Sequence, residues 1–429
     1  MANTGKIVEV MFENALDTYN EQDSLLDLTS FISPEAAGMQ NANNFLWRPV
    51  EQHAPIIDGW DLNGQEQDII EETYPAILGT PKNDFVRQRA DNLRDMRFWE
   101  RRGQASAMQQ VSELNKGIIN AITTQGTMFY RSNATSGYNF IAEAQALMNE
   151  RQGFMTDRCF VLNDRDNLRF GQDLAARQTL QGKPEMTWAS GQIGQNIAEF
   201  DVFTGSYLPN LAGGASPDTT VTGNQSFKPE GGSVDATTGQ VNNVDYRRAQ
   251  ITVAASANYN VGDKVKFTNT TAVNGSNDVL AVGLGDKTVT DQAMTFTVVA
   301  KPSATTIVVY PKPIAFDDTA LTATEKYYAN VNTTIKNGAT VERLNTDTLN
   351  KVNAFWDKDA VEVYGGTIPA NLFSEFDGNK VISETMKNGL EMYMIYDGNI
   401  EDMTFRYRLF TWWSVTVKSP DRVGVAVTY

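Results

Sequence analysis

The sequence predicts an α+β fold of more than one domain, with a long helix and an inserted antiparallel β domain. Its 429 residues are about three times the length of an ordinary single domain. The stretch from Phe85 to Thr123 contains no proline and places apolar residues at helical spacing. Residues 224–341 instead contain short alternating strands separated by turns. Because segments of mixed pattern lie on both sides of residues 224–341, we expect the β domain to interrupt another domain.

Composition and charge exclude several classes of protein. Hydrophobic residues make up 41% of the chain and charged residues 21%, which is typical of a folded protein. The 36 basic and 52 acidic residues give a net charge of −16, which disfavours a nucleic-acid groove because phosphate binding needs clustered cations. No apolar run is long enough to span a membrane, and the acidic start is unlike a signal peptide. The sequence therefore predicts a protein of a soluble compartment.

The residue types of metal and nucleophile chemistry are scarce. One cysteine, Cys159, and one histidine, His53, leave no pair for a disulfide and too few ligands for a zinc site. The sequence lacks a phosphate-binding loop, a zinc-protease helix motif and a nucleophile elbow. Acid pairs at Glu71-Glu72 and Asp317-Asp318 keep a glycan-hydrolysing protein as an alternative, since glycosidases use two carboxyl groups. We expect no catalytic residue, no metal and no cofactor.

Residues 1–32 form an amphipathic opening. Apolar residues recur at helical spacing at Ile7, Val10, Met11, Ala15 and Leu16. The opposite side is acidic and includes Glu13 and Asp17. This pattern fits either a solvated surface helix or an arm that docks on a basic partner.

The segment from residue 51 to residue 80 has an unusual charge distribution. It contains no lysine or arginine and seven acids, which are Glu51, Asp58, Asp61, Glu66, Asp68, Glu71 and Glu72. The sequence pieces GW, NG and LGT are typical of turns. We therefore expect a long hairpin or a protruding loop, and a loop of this length is usually functional or disordered.

The stretch after this segment predicts a long helix. Asp84 is placed to cap it, and Thr123, Thr124 and Gly126 are placed to end it. A helix of this length would extend about 60 Å. Its first half is rich in arginine, at Arg87, Arg89, Arg94, Arg97, Arg101 and Arg102. An acidic segment beside a surplus of guanidinium groups suggests two arrangements: the two fold together within one molecule, or a projecting segment binds the arginines of a neighbouring copy.

The β region and its flanks give further local predictions. Residues 224–341 hold ten basic and ten acidic residues, so the excess negative charge lies in the rest of the chain. The predicted strands there include Gln250 to Val253, Lys264 to Phe267, Thr295 to Val299 and Thr306 to Val309, and together they suggest a small barrel or sandwich. We also expect a helix around Phe140 to Met148, a strand at residues 160–162, and a C-terminal hairpin with its turn at Ser419-Pro420-Asp421. The β region by itself would also suit a glycan-binding module.

Several strings resemble the major capsid (coat) proteins of short-tailed, Salmonella-type lambdoid phages. Those in the first quarter of the chain are Met39-Gln40, Trp47, Pro49-Val50-Glu51-Gln52, Gly59-Trp60-Asp61-Leu62, Asn83-Asp84-Phe85, Arg89-Ala90-Asp91 and Leu93-Arg94-Asp95. The later ones are Gln225-Ser226-Phe227-Lys228-Pro229, Pro311-Lys312-Pro313, Asp317-Asp318, Tyr328-Ala329-Asn330-Val331-Asn332-Thr333, Phe355-Trp356 and Ile368-Pro369-Ala370-Asn371. They keep their order along nearly the whole chain, which is more specific than any one string.

The resemblance implies the tailed-phage capsid fold of the Hong Kong 97 type. It divides the chain into an N-terminal arm (1–32), an F-loop region (33–50), an E-loop (51–80), a P-domain with a spine helix (81–126 and 396–429), an A-domain (127–223 and 342–395) and an inserted six-stranded β-barrel, the I-domain (224–341). The E-loop and the spine helix then coincide with the acidic segment and with the predicted long helix.

The resemblance also implies function, partners and site residues. A protein of this kind assembles with a scaffolding protein and a portal complex, as pentamers and hexamers, into an icosahedral procapsid and a mature head around double-stranded DNA, in the bacterial cytoplasm. Glu13 and Asp17 would bind the scaffolding protein, the E-loop acids would meet spine arginines of the next copy, and Asp235 and Asp245 would lie in an I-domain loop between capsomers. Some related shells are crosslinked through an E-loop lysine, which residues 51–80 lack, so we expect a noncovalent shell. An encapsulin-like protein compartment is the alternative with the same fold.

Overall fold

The structure, a computed structural model, describes most of the chain. It does not describe residues 1–3, 23–24, 35–38, 40–43, 51–53, 55, 65, 67–69, 71, 90, 93–94, 133–136, 152–156, 177–193, 212, 214–216, 231–244, 346–349, 370–379, 400 and 429. The described residues form two compact units, one of Met1–Leu46, Ala76–Ile118 and Glu362–Thr416 and one of Trp47–Pro75, Ile119–Val361 and Val417–Tyr429. Among these residues, none of the helices combines the length and the apolar character needed to cross a lipid bilayer.

Strands outnumber helices in the described part of the chain, and the combination of the two confirms the predicted α+β class. The helices are α1 (Thr4–Glu21), α2 (Met96–Gln125), α3 (Gly137–Arg151), α4 (Asp164–Ala176) and α5 (Ala323–Lys326). The strands before residue 221 are β1 (Ser30–Ile32), β2 (Phe45–Pro49), β3 (Thr73–Ile77), β4 (Lys82–Arg89), β5 (Met128–Ser132), β6 (Arg158–Leu162), β7 (Gly194–Ile197), β8 (Phe200–Thr204), β9 (Asn210–Leu211) and β10 (Thr219–Thr220). The later strands are β11 (Ala249–Thr252), β12 (Lys264–Val273), β13 (Ser276–Asp278), β14 (Leu280–Val282), β15 (Val289–Ala293), β16 (Phe296–Ser303), β17 (Thr306–Tyr310), β18 (Thr340–Arg343), β19 (Asn350–Asp357), β20 (Val361–Gly365), β21 (Lys380–Thr385), β22 (Glu391–Asn399), β23 (Thr404–Thr411), β24 (Trp413–Val417) and β25 (Val423–Thr428).

The first unit contains a four-stranded antiparallel sheet in the order β21-β22-β23-β4. A three-stranded sheet in the order β1-β20-β24 completes its β structure, with β1 and β20 parallel. The amphipathic opening is the helix α1, as predicted, and its buried face is formed by Val8, Met11, Phe12, Ala15 and Tyr19. Two glycines of α2 permit close packing: a Cβ atom at Gly103 would lie 2.5 Å from the Met11 carbonyl oxygen, and one at Gly117 would lie 2.5 Å from the Trp413 ring.

The long helix is shorter than the sequence predicted. It begins at Met96, not at Asp84, and its 30 residues extend about 45 Å. Residues 82–89 form β4, which pairs with β23 over its whole length. Its residues alternate between half-buried, as at Val86, and exposed, as at Arg87, so a period of two fits them as well as a helical period does. The predicted helix end is confirmed, because α2 ends at Gln125 just before Gly126.

The second unit contains two larger sheets. One is mixed and has the order β5-β25-β19-β6-β8-β7, with parallel pairs between β25 and β5 and between β6 and β8. Phe160 of β6 stacks on Phe355 of β19 at 5.8 Å between ring centroids, in a core that includes apolar residues of α3. The helix predicted around Phe140 to Met148 is confirmed as α3, and the strand predicted at residues 160–162 lies within β6.

The other sheet of this unit closes on itself. Its strand order is β10-β18-β12-β16-β17-β11. A bridge between Val221 and Val253, with a hydrogen bond of 2.9 Å from the Thr222 N–H to the Thr252 carbonyl, joins its two edges. The four predicted strands of this region are confirmed as β11, β12, β16 and β17. We refer to this closed sheet, with the loops that join its strands, as the barrel.

The predicted C-terminal hairpin is wrong, although its strands exist. The region from Met403 to Lys418 forms two strands, β23 and β24, and β24 joins the sheet of β1 and β20. The closing strand β25 lies between β5 and β19. The turn at residues 419–421 forms a short 3-10 helix at Pro420–Arg422, and the Thr127 hydroxyl donates a hydrogen bond of 2.8 Å to the Pro420 carbonyl. Because the strands on both sides of the turn find other partners, local turn signals do not decide their pairing.

Candidate assembly interface

The acidic segment is a hairpin. The strands β2 and β3 pair, and beyond them the Val50 N–H donates a hydrogen bond of 2.8 Å to the Glu72 carbonyl. At the far end, the Asp61 carboxylate accepts a hydrogen bond of 3.1 Å from the Asn63 N–H, and Gly64 has a φ of 78°. That combination is typical of a tight turn. We call residues 50–72 the acidic hairpin, and its described part around residues 56–66 the hairpin tip.

The hairpin tip exposes both acidic and apolar side chains. Asp58, Asp61 and Glu66 are exposed. Trp60 is fully exposed, and Ile56 is 85% exposed. An exposed tryptophan is a candidate anchor for a partner, since tryptophan is enriched among the residues that dominate protein interfaces. Three other predicted residues of this set, Glu51, Asp68 and Glu71, lie outside the described residues, as does His53.

Glu72 does not belong to that exposed surface. Its side chain is buried and forms an ion pair of 3.0 Å with Lys312 of the same chain. The same carboxylate accepts a hydrogen bond of 3.2 Å from the Glu230 N–H. The carboxylate thus already has a cation within its own chain at the base of the hairpin, and the contact of Glu72 with another subunit stays a prediction.

The predicted arginines divide into two groups. Arg97 and Arg101 are exposed on α2, and neither forms an ion pair with a described residue. Arg102 points inward instead, where it donates a hydrogen bond of 2.9 Å to the Tyr407 hydroxyl and pairs with Asp84. Of the arginines on α2, Arg97 and Arg101 are thus the ones available to another molecule. Arg94 lies outside the described residues.

Arg87 lies on a strand, so its assignment to the helix is wrong. It pairs with Asp402 and stands opposite Arg406 of β23, while Phe85 stands opposite Arg408. We call this exposed side of the four-stranded sheet the arginine face, formed by Phe85, Arg87, Arg89, Arg406 and Arg408. Sequence reasoning missed Arg406 and Arg408 as members of this face, although both alternate with buried residues along β23. Acids neutralise part of its charge, since Arg87 pairs with Asp402, Arg89 with Asp91 and Arg406 with Asp397.

The outer side of α1 is uniformly acidic. Glu9, Glu13, Asp17 and Glu21 are all exposed, and each lies four residues from the next. Side chains at this spacing are neighbours on a helix, and like charges there repel by a few tenths of a kcal/mol per pair. No described cation forms an ion pair with Glu13 or Asp17. This stripe has the electrostatic character that a basic partner would neutralise.

Asp245 is buried, in contrast to the prediction. It pairs with Arg247 and Arg248, each at 2.9 Å, and it accepts a hydrogen bond of 2.7 Å from the Tyr310 hydroxyl. Burial alone would raise the pKa of Asp245, but the hydrogen bond and charge of Arg247 outweigh it and hold that pKa below its usual value. Its charge is neutralised inside the chain, and the contact of Asp245 with another capsomer stays a prediction. Asp235 lies outside the described residues.

The described residues that the sequence offered for catalysis are buried or hydrogen-bonded within the chain. Cys159 is buried, and burial raises the pKa of its thiol well above the ordinary value. Asp317 accepts a hydrogen bond of 2.7 Å from the Thr333 hydroxyl, and Asp318 accepts one from Ser226. Within the described part of the chain, no three His, Cys, Asp or Glu side chains are placed to hold a metal ion.

The described part of the chain thus exposes an acidic hairpin tip and two arginines of α2. Comparison with protein families identifies the class: the chain belongs to the P22 coat protein family (P22 coat protein, gene protein 5), whose model matches residues 1–428. It is a major capsid protein of a tailed bacteriophage, a structural subunit of the icosahedral shell of the virion.

The solved structures to which the chain shows some similarity include other shells. The capsid of cyanophage P-SCSP1u has 10% sequence identity and a TM-score of 0.46, over 95% of this chain and 89% of that one. The mature capsid of bacteriophage PhiM1 has 9% identity and a TM-score of 0.42, over 95% and 87%. The SrpI encapsulin of Synechococcus elongatus PCC 7942 has 9% identity and a TM-score of 0.39, over 94% and 86%. The family assignment rests on the match over residues 1–428.

Proposed function

We propose that this coat protein assembles with a scaffolding protein into a procapsid that receives double-stranded DNA through a portal complex and becomes the mature head. Assembly takes place in the bacterial cytoplasm, and the subunits form pentamers and hexamers. In this scheme the residue ranges 1–32, 33–50, 51–80, 81–126 with 396–429, 127–223 with 342–395, and 224–341 act as N-terminal arm, F-loop region, E-loop, P-domain, A-domain and I-domain.

The hairpin tip is the part that contacts the next copy. The observation that carries this proposal is that the tip exposes Trp60 with Asp58 and Asp61, while residues 51–80 contain no cation of their own. A complementary surface of the same chain lies on α2, where Arg97 and Arg101 are exposed next to the exposed side chains of Met96 and Phe98. Exposed ion pairs contribute only about 0–1 kcal/mol each, so the charges set the register and the apolar contacts supply most of the affinity.

Shell geometry makes weak contacts sufficient. A heterologous contact of this kind closes into rings, and a subunit held by several neighbours gains avidity from their high effective concentration. Residues 51–80 contain no lysine, so the hairpin contributes to a noncovalent shell. The acidic stripe of α1, through Glu13 and Asp17, receives the basic segment of the scaffolding protein.

Charge reversal at Arg101 tests the hairpin contact. The Arg101→Glu variant should give folded subunits that fail to form shells in electron micrographs, while Arg101→Lys, which keeps the charge, should assemble. Combining Arg97→Glu and Arg101→Glu with Asp58→Arg and Asp61→Arg should restore assembly, because the charges then match again. Normal shells from Arg101→Glu alone would refute the contact. Particles that enclose proteins and no nucleic acid would instead favour an encapsulin-like compartment.

A further inference from the structure

The base of the acidic hairpin is attached to the barrel. Besides the ion pair between Glu72 and Lys312, the Tyr246 N–H donates a hydrogen bond of 3.3 Å to the Thr73 carbonyl. The Tyr328 hydroxyl donates another, of 3.2 Å, to the Ile70 carbonyl. These contacts involve the second side of the hairpin, just before and at the start of β3.

Lys312 is built into this attachment. It follows β17 by two residues and is 7% exposed. Its ammonium group donates to the Glu72 carboxylate at 3.0 Å and to the Lys228 carbonyl at 3.2 Å, and it lies 5.7 Å from the centre of the Tyr246 ring. A buried ion pair adds little net stability compared with apolar residues of the same size, because both charges lose their water. Its geometry is directional, however, so it favours one placement of the hairpin over others.

Arg247 provides a second attachment beside the first, since its carbonyl accepts a hydrogen bond of 2.8 Å from the Lys312 N–H. Its guanidinium group lies 4.7 Å from the centre of the Tyr74 ring, and Tyr74 is a fully buried residue of β3. The same group donates hydrogen bonds to the Tyr310 hydroxyl at 3.1 Å and to the Lys418 carbonyl at 2.9 Å. Arg247 precedes β11 by two residues, so this attachment also begins at the edge of a barrel strand.

We propose that Lys312 and Arg247 are positioning residues that fix the direction in which the acidic hairpin leaves the barrel, and hence where its tip meets the next copy. The need for them follows from the hairpin itself, because β2 and β3 have five residues each and an isolated two-stranded ribbon is marginally stable. A closed barrel has no free edges and is a more rigid support. The proposal rests on the proposed contact of the hairpin tip between subunits.

This arrangement gives the barrel a part in assembly that does not require a contact of its own with a neighbour. Two hairpins that differ in direction by a small angle would place Trp60 and Asp58 at different points on the adjacent subunit. Shells require one curvature, so a hairpin with a loose base should produce particles of several sizes. A change in shell uniformity with an intact subunit core is therefore the expected sign of lost positioning.

The first measurement uses unassembled subunits. Lys312→Met keeps the length of the side chain and removes its charge, and Glu72→Gln is the milder change at the same pair. Hydrogen exchange at the Val50 and Tyr246 amides should become about tenfold faster in either variant, while amides of β12 and β17 keep their rates. The matched control is Lys287→Met, which removes another partly buried lysine of the barrel that donates to the Ala329 carbonyl at 3.2 Å and does not touch the hairpin. Unchanged exchange at Val50 in both variants would overturn the proposal.

The second measurement is assembly of the same proteins. Lys312→Met and Glu72→Gln should give particles of mixed size in electron micrographs, and Lys287→Met should give uniform ones. The exchanged pair, Glu72→Lys with Lys312→Glu, should restore uniform shells even if Lys312→Met folds poorly. Faster exchange with uniform shells would also overturn the proposal. A failure of the tip contact itself is recognised separately, since Arg101→Glu would then assemble normally whatever the exchange data show.

Discussion

The ammonium group of Lys264 lies 2.9 Å from the Thr123 carbonyl oxygen, in the last turn of α2. It also donates to the Gly126 carbonyl and lies 2.9 Å from the Thr297 hydroxyl oxygen. The last carbonyl groups of a helix have no partner within the helix and form the negative end of its dipole, so a cation is favourable there. Lys264 belongs to β12 of the barrel and is fully buried. The barrel thereby caps the C-terminal end of the long helix.

This cap predicts a pH dependence of stability. Burial lowers the pKa of Lys264 to about 7, and the nearby Asp263 carboxylate offsets only part of that effect. In the unfolded chain a lysine has a pKa of about 10.4, so between these two values the unfolded chain binds more protons than the folded one. The contribution of Lys264 to the free energy of unfolding should therefore rise from about pH 7 to pH 10, by up to about 1.4 kcal/mol per pH unit, and should be constant below pH 7.

Urea denaturation of the unmodified chain and of Lys264→Met at pH values from 6 to 9.5 measures this contribution. As the pH rises above about 7, the free energy of unfolding of the unmodified chain should increase relative to that of Lys264→Met. Lys301→Met is the matched control, since Lys301 also belongs to the barrel and donates to a carbonyl, that of Tyr259, at 2.6 Å. A pH-independent difference between Lys264→Met and the unmodified chain would contradict the prediction.

Replacing Arg102 by methionine should destabilise the subunit, whereas replacing its neighbour Arg101 should leave the stability almost unchanged. Arg102 pairs with Asp84 and the Tyr407 hydroxyl and is partly exposed, so Arg102→Met should lower the free energy of unfolding by about 1–2 kcal/mol. Arg101 is exposed, and Arg101→Met should change that free energy by less than about 0.5 kcal/mol. Thermal or urea unfolding of the two monomeric variants measures both changes in the free energy of unfolding. Equal losses of stability would mean that Arg101 also has a partner within the subunit.

The fold was predictable from the sequence wherever the spacing of apolar residues fitted only one type of secondary structure. The helices α1 and α3 and the barrel strands followed from hydrophobic spacing and turns. Residues 82–89 were assigned to a helix because their few apolar positions fit both periods, and only the pairing of β4 with β23, about 320 residues away along the chain, decides between them. The C-terminal hairpin failed for the same reason, since its two strands pair with distant segments.

The candidate site was predictable to the extent that composition defines it. The lack of cations in residues 51–80 marked the acidic hairpin, and the exposed acids of its tip agree with that. Burial of individual acids could not be predicted, because Glu72 meets a lysine 240 positions further along the chain. Asp245 was assigned to a projecting loop, yet the Tyr310 hydroxyl and two nearby arginines hold it inside. Sequence patterns record the charge of a residue, whereas its burial depends on long-range contacts.

Trp60 should be important for assembly and unimportant for folding. The side chain is fully exposed, so Trp60→Ser should change the free energy of unfolding of the subunit by less than about 0.5 kcal/mol. An interface anchor of this type contributes about 2 kcal/mol or more, which corresponds to a rise of at least about tenfold in the concentration needed for assembly. Light scattering against protein concentration measures that threshold. The control is Val261→Ser, an exposed apolar residue of the barrel, and an unchanged threshold for Trp60→Ser would exclude Trp60 from the contact.

The acidic stripe of α1 should determine binding of the scaffolding protein. Replacing Glu13 and Asp17 by lysine breaks the stripe of four carboxylates and should weaken binding to a basic scaffolding segment by at least about tenfold, because it replaces attraction by repulsion at two positions. The subunit itself should be unharmed or slightly stabilised, since the change relieves repulsion between neighbours four residues apart. Raising the salt concentration to about 1 M shortens the screening length to about 3 Å, so it should weaken the unmodified complex and affect the variant little. The double variant Glu384→Lys with Glu401→Lys, at two other exposed acids, controls for the change in net charge, since both double variants shift it by the same amount. Equal binding by the Glu13 and Asp17 variant and by the unmodified chain at low salt would show that the scaffolding protein binds elsewhere.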